Sequence, residues 1–277
     1  MEQVPLNPSR YPTVDYEEVM NSDEGVRKWT DNIYRWGFSL VDGSPATPEA
    51  TEKLLERIAF IRHTHYGGFW DFTSDLSMKD MAYTTQELGA HTDTTYFTEP
   101  AGLQMFHVLS HTGGSGGASL LVDGFAAAQT LYREDPDAYN SLKTVLVNAH
   151  ASGNEDVCIQ PAAPFPILSH HPVTKELCRV QWNIEDRAAR MDVDAATLVK
   201  WYDAARKFNE VLKRESMERW FQLKPGSPMI FDNWRMLHGR SEFTGKRRVC
   251  GAYINRDDFI SRYLLLNKGR EEVLGKI

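Results

Sequence analysis

The sequence predicts a mainly β fold with flanking helices, a sandwich of jelly-roll type, and three observations point to it. Short β-like runs recur at Leu103 to Leu109, Leu120 to Val122, Thr144 to Ala149, Met229 to Phe231 and Arg247 to Ile254. Turn-forming clusters separate them, above all Gly113-Gly114-Ser115-Gly116-Gly117. Helical periodicity is concentrated near the ends and in one insertion. Periodicity alone supports only a β-rich chain with helices; scattered β-runs with helices mainly at the ends argue for the sandwich, a fold that buries small-molecule sites between its sheets.

Taken in order, Ser22 before Asp23 and Glu24 reads as a helix N-cap with an acidic first turn. Val26, Trp29, Ile33 and Tyr34 supply the apolar stripe, and Gly37 ends it. Phe38 to Val41 reads as a strand. Thr47-Pro48-Glu49 starts a second helix, with Thr as cap and Pro at the first position, and its stripe runs through Leu54, Leu55, Ile58 and Ile61. From His63 to Ala90 no period is sustained, and a stretch of that length is expected to be a functional loop or lid. The β-runs follow. Between Asp192 and Arg214, Leu198, Tyr202, Ala205, Phe208 and Leu212 recur at spacings of three and four, which predicts a long amphipathic helix against a sheet.

The 277 residues fit one large domain, since single β-rich domains commonly reach roughly 200 to 250 residues. Hydrophobic and charged fractions of 42% and 25% are those of a globular protein, and no apolar run approaches the roughly 18 residues of a membrane span. A net charge of -7 disfavours nucleic acid, whose binding needs clustered Lys and Arg; Lys246-Arg247-Arg248 is too short to reverse that. Cys158, Cys178 and Cys250 are odd in number and lack C-x-x-C spacing, so a reducing compartment is expected. The acidic start, with Asp15, Glu17 and Glu18, fits neither a secretory nor a transit segment, which makes cytoplasm the expectation.

The motif that carries chemistry is His91-Thr92-Asp93, completed far downstream by His238. In an extended segment residues i and i+2 share a face, so His91 and Asp93 are expected to point the same way. A second His from a remote strand would complete one face of an octahedron and leave the others open, the arrangement of non-haem Fe(II) oxygenases. His63, His65, His150, His170 and His171 lack such spacing and are read as ordinary residues. In the strand after His238, Arg247, Val249 and Gly251 share one face. An inward Arg247 can grip a dicarboxylate with two parallel hydrogen bonds, and as a sequence feature alone it is equally a surface charge. Tyr66 and Trp70, then Asp80 and Tyr83, precede the motif; as residues alone, the aromatics are ordinary core material.

These stretches, HTDTTYFTEPAGLQMFH from His91, GGASLLVDGF from Gly116, WNIEDR from Trp182 and FDNWRMLHGR from Phe231, resemble the trimethyllysine and γ-butyrobetaine hydroxylases of the taurine-dioxygenase-like superfamily over nearly the whole chain. The resemblance implies a double-stranded β-helix of the clavaminate-synthase-like type, with Fe(II) on His91, Asp93 and His238. It also implies 2-oxoglutarate and O2 as co-substrates, with ascorbate as an auxiliary reductant. Arg247 would hold the distal carboxylate of 2-oxoglutarate, with Ser119 as a second contact where many relatives have Thr. Tyr66, Trp70 and Tyr83 would cage a quaternary ammonium group, for which cation–π attraction is the available interaction. Asp80 would take an α-ammonium group and Asn183 would donate to the α-carboxylate; Tyr253 either lines the pocket or packs. Relatives carry a small domain ahead of the catalytic region, which residues 1–20 cannot supply, so 1–277 is expected to be a single catalytic domain.

The expected reaction is therefore hydroxylation of N6,N6,N6-trimethyl-L-lysine at C3, the first oxidation in carnitine synthesis. An acid at Asp80 would repel a substrate that offers only a carboxylate. γ-Butyrobetaine or another amino acid, including a secondary-metabolite substrate, is the alternative within the same chemistry. A non-catalytic trimethyllysine-binding module is the alternative outside it. Neither nucleic acid nor membrane is expected as a partner, and a homodimer is left open.

Overall fold

The computed structural model describes residues 7–73 and 85–276. The strands in chain order are β1 (Thr13–Asp15), β2 (Phe38–Asp42), β3 (Trp70–Thr73), β4 (Leu88–His91), β5 (Leu103–Thr112), β6 (Ser119–Asp123), β7 (Leu146–Val147), β8 (Phe165–Pro166), β9 (Leu168–His170), β10 (Leu177–Val180), β11 (Arg219–Phe221), β12 (Met229–Asp232), β13 (Met236–Arg240) and β14 (Lys246–Ile254). The helices are α1 (Tyr16–Asn21), α2 (Asp23–Trp36), α3 (Pro48–Glu56), α4 (Gly124–Glu134), α5 (Pro136–Thr144), α6 (Ala195–Leu212), α7 (Arg256–Asn267) and α8 (Arg270–Leu274). A six-stranded sheet, in the order β1-β2-β12-β5-β14-β3, accompanies a four-stranded sheet, β11-β6-β13-β4. All their pairs are antiparallel except β1 with β2.

Strand alternation distributes the core into layers. On β12, Met229 and Phe231 point between the sheets while Ile230 packs against helices; on β6, Leu121 points inward while Leu120 and Val122 point outward. The inter-sheet cluster joins these inward residues with Val108, Met236 and Val249. α2, α3 and α7 cover the outer face of the six-stranded sheet, and α4, α5 and α6 cover the four-stranded one. Each fully buried Leu, Ile or Phe contributes roughly 1.5–3 kcal/mol relative to exposure. The result is sheet-rich with flanking helices.

Local signals explain the helix ends. Ser22 accepts from the Gly25 amide to start α2, and Gly37 closes it with φ 83°. A Cβ at Gly37 would also lie 2.6 Å from the Met236 sulfur, so a side chain there would have to displace Met236 as well as adopt the left-handed conformation. Thr47 caps α3, as its position before the apolar stripe predicts, and Asp194 caps α6.

Three expectations need correction. α4 and α5 interrupt the β-runs; their caps, Asp123 and Asp135-Pro136, are in the sequence, but their Ala-rich and polar turns carry little periodic contrast. Thr144 therefore ends a helix, and the expected Thr144–Ala149 strand shrinks to Leu146–Val147. On α6 the buried stripe is Trp201, Ala204, Ala205, Phe208, Val211 and Leu212; Tyr202 lies outside, its hydroxyl accepting from Arg187. The larger apolar ring takes the interior and the phenol keeps a polar partner.

A buried ion pair ties α4 to the sheets. Asp123 caps α4 through the Phe125 and Ala126 amides, and the Arg235 guanidinium, 2.6 Å from its carboxylate, also donates to the Arg35 carbonyl. Breaking such a pair costs about 3–5 kcal/mol because it leaves an uncompensated charge.

Candidate metal centre and its cavity

β4 and β13 are neighbours in the four-stranded sheet, and their register sets His91 directly opposite His238. The His91 Nδ1–H donates to the Gly89 carbonyl at 2.8 Å, which turns Nε2 towards the cluster. His238 packs against the rings of Phe106 and Phe231, with centroids 5.5 and 4.8 Å away.

Asp93 reaches the cluster by a different route from the one expected. β4 ends at His91, and Asp93 lies beyond it with Thr94 in the left-handed region at φ 59°. Strand alternation therefore does not aim the pair. Asn233 does part of that work: its Oδ1 accepts from the Asp93 amide at 2.8 Å, and its Nδ2 donates to the Asp93 and Ala101 carbonyls. Thr94 Oγ1 accepts from the Ala101 amide, which holds the same turn. Asp93 Oδ1 lies 3.2 Å from His91 Nε2 and 3.7 Å from His238 Nε2. One potential ligand atom from each residue falls within 4.8 Å of the others.

The electrostatics suit a cation. Burial raises the Asp93 carboxyl, but the two imidazoles and the Tyr253 hydroxyl outweigh it and hold it far below the usual range. His238 is pushed down to about 3 by burial and by the neighbouring His91. For His91 burial acts downward, yet the Asp93 hydrogen bond and charge raise it overall. Once a metal displaces the His91 proton, two imidazole lone pairs and one carboxylate form the donor set that a divalent first-row transition metal takes.

The cluster opens into a cavity of about 700 Å³. One part of its wall is cationic: Arg247 and Arg240 are both buried. Burial pulls Arg247 down to about 10, helped by the nearby Arg240 charge, and burial alone does the same to Arg240. Arg247 Nε is buried with no hydrogen-bond partner among the described residues, while Arg240 donates to the Gln86 carbonyl. Ser119 is the cross-strand neighbour of Arg240, and the Phe243 ring lies under both guanidiniums. Two desolvated cations this close invite an anion with two carboxylates. Sequence reasoning had missed Arg240. Its spacing from His238, two residues along one strand, was the available signal.

Another part is aromatic. Tyr66, Trp70, Asn183 and Tyr253 all line the cavity, together with His65, Tyr96 and His150. His65 and His150, read as ordinary residues, thus border the site; the His65 ring lies tilted against Tyr66 with centroids 3.9 Å apart. Trp70 enters because its strand partner is Gly251: a Cβ there would meet the indole at 2.5 Å and the Met105 carbonyl at 1.9 Å. Asn183 is partly committed, its Oδ1 accepting from the Glu185 and Asp186 amides and its Nδ2 lying 3.4 Å from the Thr92 carbonyl. Asp80 and Tyr83 lie outside the described residues. Gln104, which also lines the cavity and donates to Asp93, carries no sequence signal.

Comparison with known proteins identifies the family. The chain is 49% identical over 302 residues to a trimethyllysine dioxygenase of Neurospora crassa, covering 97% of this chain and 64% of that protein. It is 30% identical over 266 residues to the human gamma-butyrobetaine dioxygenase, covering 93% and 67%. The chain thus spans about two thirds of the length of these relatives. A solved structure described as a taurine dioxygenase from Burkholderia xenovorans shares the fold, with a TM-score of 0.61 at 15% identity over 91% of this chain and 83% of that one. The family model for the taurine catabolism dioxygenase TauD, TfdA family matches residues 2–253, a span that includes both cluster histidines, Asp93 and the two cavity arginines, and the chain belongs to that family.

Proposed function

We propose that this chain is an Fe(II)- and 2-oxoglutarate-dependent dioxygenase that hydroxylates N6,N6,N6-trimethyl-L-lysine at C3. The observation that carries the reading is the convergence in one cavity of the His91, Asp93 and His238 donors, the Arg240 and Arg247 pair, and the Tyr66 and Trp70 rings. The two-sheet arrangement fits the double-stranded β-helix implied by the sequence motifs.

His91, Asp93 and His238 would hold the iron, and their donor chemistry fits it. Iron bound there would supply the oxidising power that turns a C–H bond into C–OH, as O2 is consumed and 2-oxoglutarate is converted to succinate and CO2. Arg247, with Ser119 in the same cavity wall, would neutralise the distal carboxylate of 2-oxoglutarate in a region where water competes poorly. Tyr66 and Trp70 would present ring faces to the trimethylammonium group, worth roughly 2 kcal/mol or more per desolvated contact. The remaining N–H of Asn183 is available to the substrate carboxylate. Asp80 and Tyr83 keep the roles implied by the sequence resemblance. The protein's part is thus to orient and to exclude water rather than to move protons.

Trimethyllysine is favoured over γ-butyrobetaine because the named trimethyllysine relative is 49% identical and the butyrobetaine relative 30%. Three free cysteines support a reducing compartment, with cytoplasm as our reading, and no helix among the described residues is long and apolar enough to cross a membrane. Ascorbate as auxiliary reductant and a homodimeric state are carried as part of the proposal.

Incubation with Fe(II), 2-oxoglutarate, O2 and either trimethyllysine or γ-butyrobetaine tests it, with succinate and the hydroxylated product measured by mass spectrometry. Coupled product from trimethyllysine is expected. Succinate at the substrate-free background with trimethyllysine, or preferential turnover of γ-butyrobetaine, would overturn the substrate assignment.

A further inference from the structure

We propose that Gln104 and Tyr253 act as a pair of positioning residues that keep Asp93 to single-oxygen metal coordination, so that three coordination positions stay open. The inference rests on the reading of His91, Asp93 and His238 as a metal site.

Gln104 on β5 and Tyr253 on β14 are directly opposed in the antiparallel register of the six-stranded sheet. Both are buried, and both donate to the same atom: Gln104 Nε2 lies 2.7 Å from Asp93 Oδ2 and the Tyr253 hydroxyl 2.8 Å from it. The other oxygen, Oδ1, is the one beside the two histidine Nε2 atoms. A carboxylate oxygen accepts through two in-plane lone pairs, and two donors occupy both. Oδ2 is then unavailable as a second ligand atom.

Division of labour between the sheets gives this pair its point. The histidines come from the four-stranded sheet, while Asp93 stands beyond the end of its strand, where no ladder fixes its side chain. Asn233 fixes the Asp93 backbone. The opposite sheet, through Gln104 and Tyr253, fixes its carboxylate plane. An octahedral ion with three protein donors keeps three positions, enough for a two-oxygen chelating co-substrate and one further small ligand; a two-oxygen Asp93 would remove one of them.

Mn(II) serves as the probe, in the full chain without co-substrate. Titration gives the fraction bound, and the enhancement of water-proton relaxation per bound ion reports how many waters the ion keeps. Wild type is expected to keep three. Gln104→Met and Tyr253→Phe, which preserve bulk and remove a donor, are expected to lower the enhancement per bound ion by about one third as one water is displaced. Circular dichroism and melting of the metal-free variants check that they are folded. Two waters on the wild-type ion, or unchanged enhancement in the folded variants, would overturn the pairing while leaving the metal site standing. Failure of wild type to bind Mn(II) at all would overturn both.

Discussion

His91 and His238 occupy directly opposed positions on the β4–β13 ladder, with ring centroids 4.3 Å apart. Two donors held by one pair of strands form a rigid half-site, to which the turn bearing Asp93 adds the third. Replacing His238 with Ala is expected to cut metal affinity by more than the roughly 10–100-fold typical of losing an outer-shell partner. Metal content after dialysis against a weak chelator, and loss of succinate formation, are the measurements. Retention of stoichiometric iron by His238→Ala would contradict the assignment.

Arg247 should act on one substrate and not the other. Arg247→Met removes a charged donor set of roughly 1.5–3 kcal/mol, so KM for 2-oxoglutarate should rise about 10–100-fold. KM for trimethyllysine should change far less. Arg247→Lys should recover only part of the loss, because an ammonium lacks the planar two-donor fork. Equal effects on both KM values would point to general disruption of the cavity.

Gly251→Ala places a methyl group against the Met105 carbonyl and the Trp70 indole. The backbone contact cannot yield by side-chain rotation, so a destabilisation of about 1–3 kcal/mol is expected in denaturant unfolding. Displacement of Trp70 should also shift the tryptophan emission and raise KM for the quaternary ammonium substrate. A stable variant with unaltered emission would show that the close approach is dispensable.

His107 predicts an acid-side loss of stability. It is fully buried between two partners: its Nδ1–H donates to Thr51 Oγ1 at 2.7 Å, and Nε2 accepts from the Gly226 amide at 3.1 Å. Burial pushes it down to about 4 from 6.5. Between those values the unfolded chain takes up a proton that the folded chain refuses, so stability falls as pH drops from 6.5 towards 4. Removing His107 should flatten this slope by up to one proton, about 1.4 kcal/mol per pH unit. Unfolding of metal-free wild type and His107→Gln at pH 7, 5.5 and 4.5 measures it; parallel profiles would refute the assignment. His238, also depressed, acts in the same direction in both proteins and cancels in the comparison.

Legibility of the site followed the reach of each signal. His91, Asp93 and His238 were readable because spacing and residue type together define a donor set, and Arg247 only through the resemblance, since by pattern alone it was equally a surface charge. Arg240 was within reach of the same i, i+2 rule. Gln104 was not: a single Gln between apolar residues has no pattern, and its meaning comes from a partner on another strand. α4 and α5 were missed although their caps are present, since small and polar residues blur helical periodicity.

By itself the sequence determined the β-rich class, the caps at Ser22 and Thr47, and the identity of the three potential metal donors, because these depend on local spacing and residue chemistry. Only the tertiary structure decided that His91 faces His238 across one ladder, that Asn233 rather than strand geometry aims Asp93, and that Gly251 admits Trp70 to the cavity. Those relations join residues up to 181 positions apart, as Trp70 and Gly251 are, and pairing register and close packing set them. Local propensity carries no information about either.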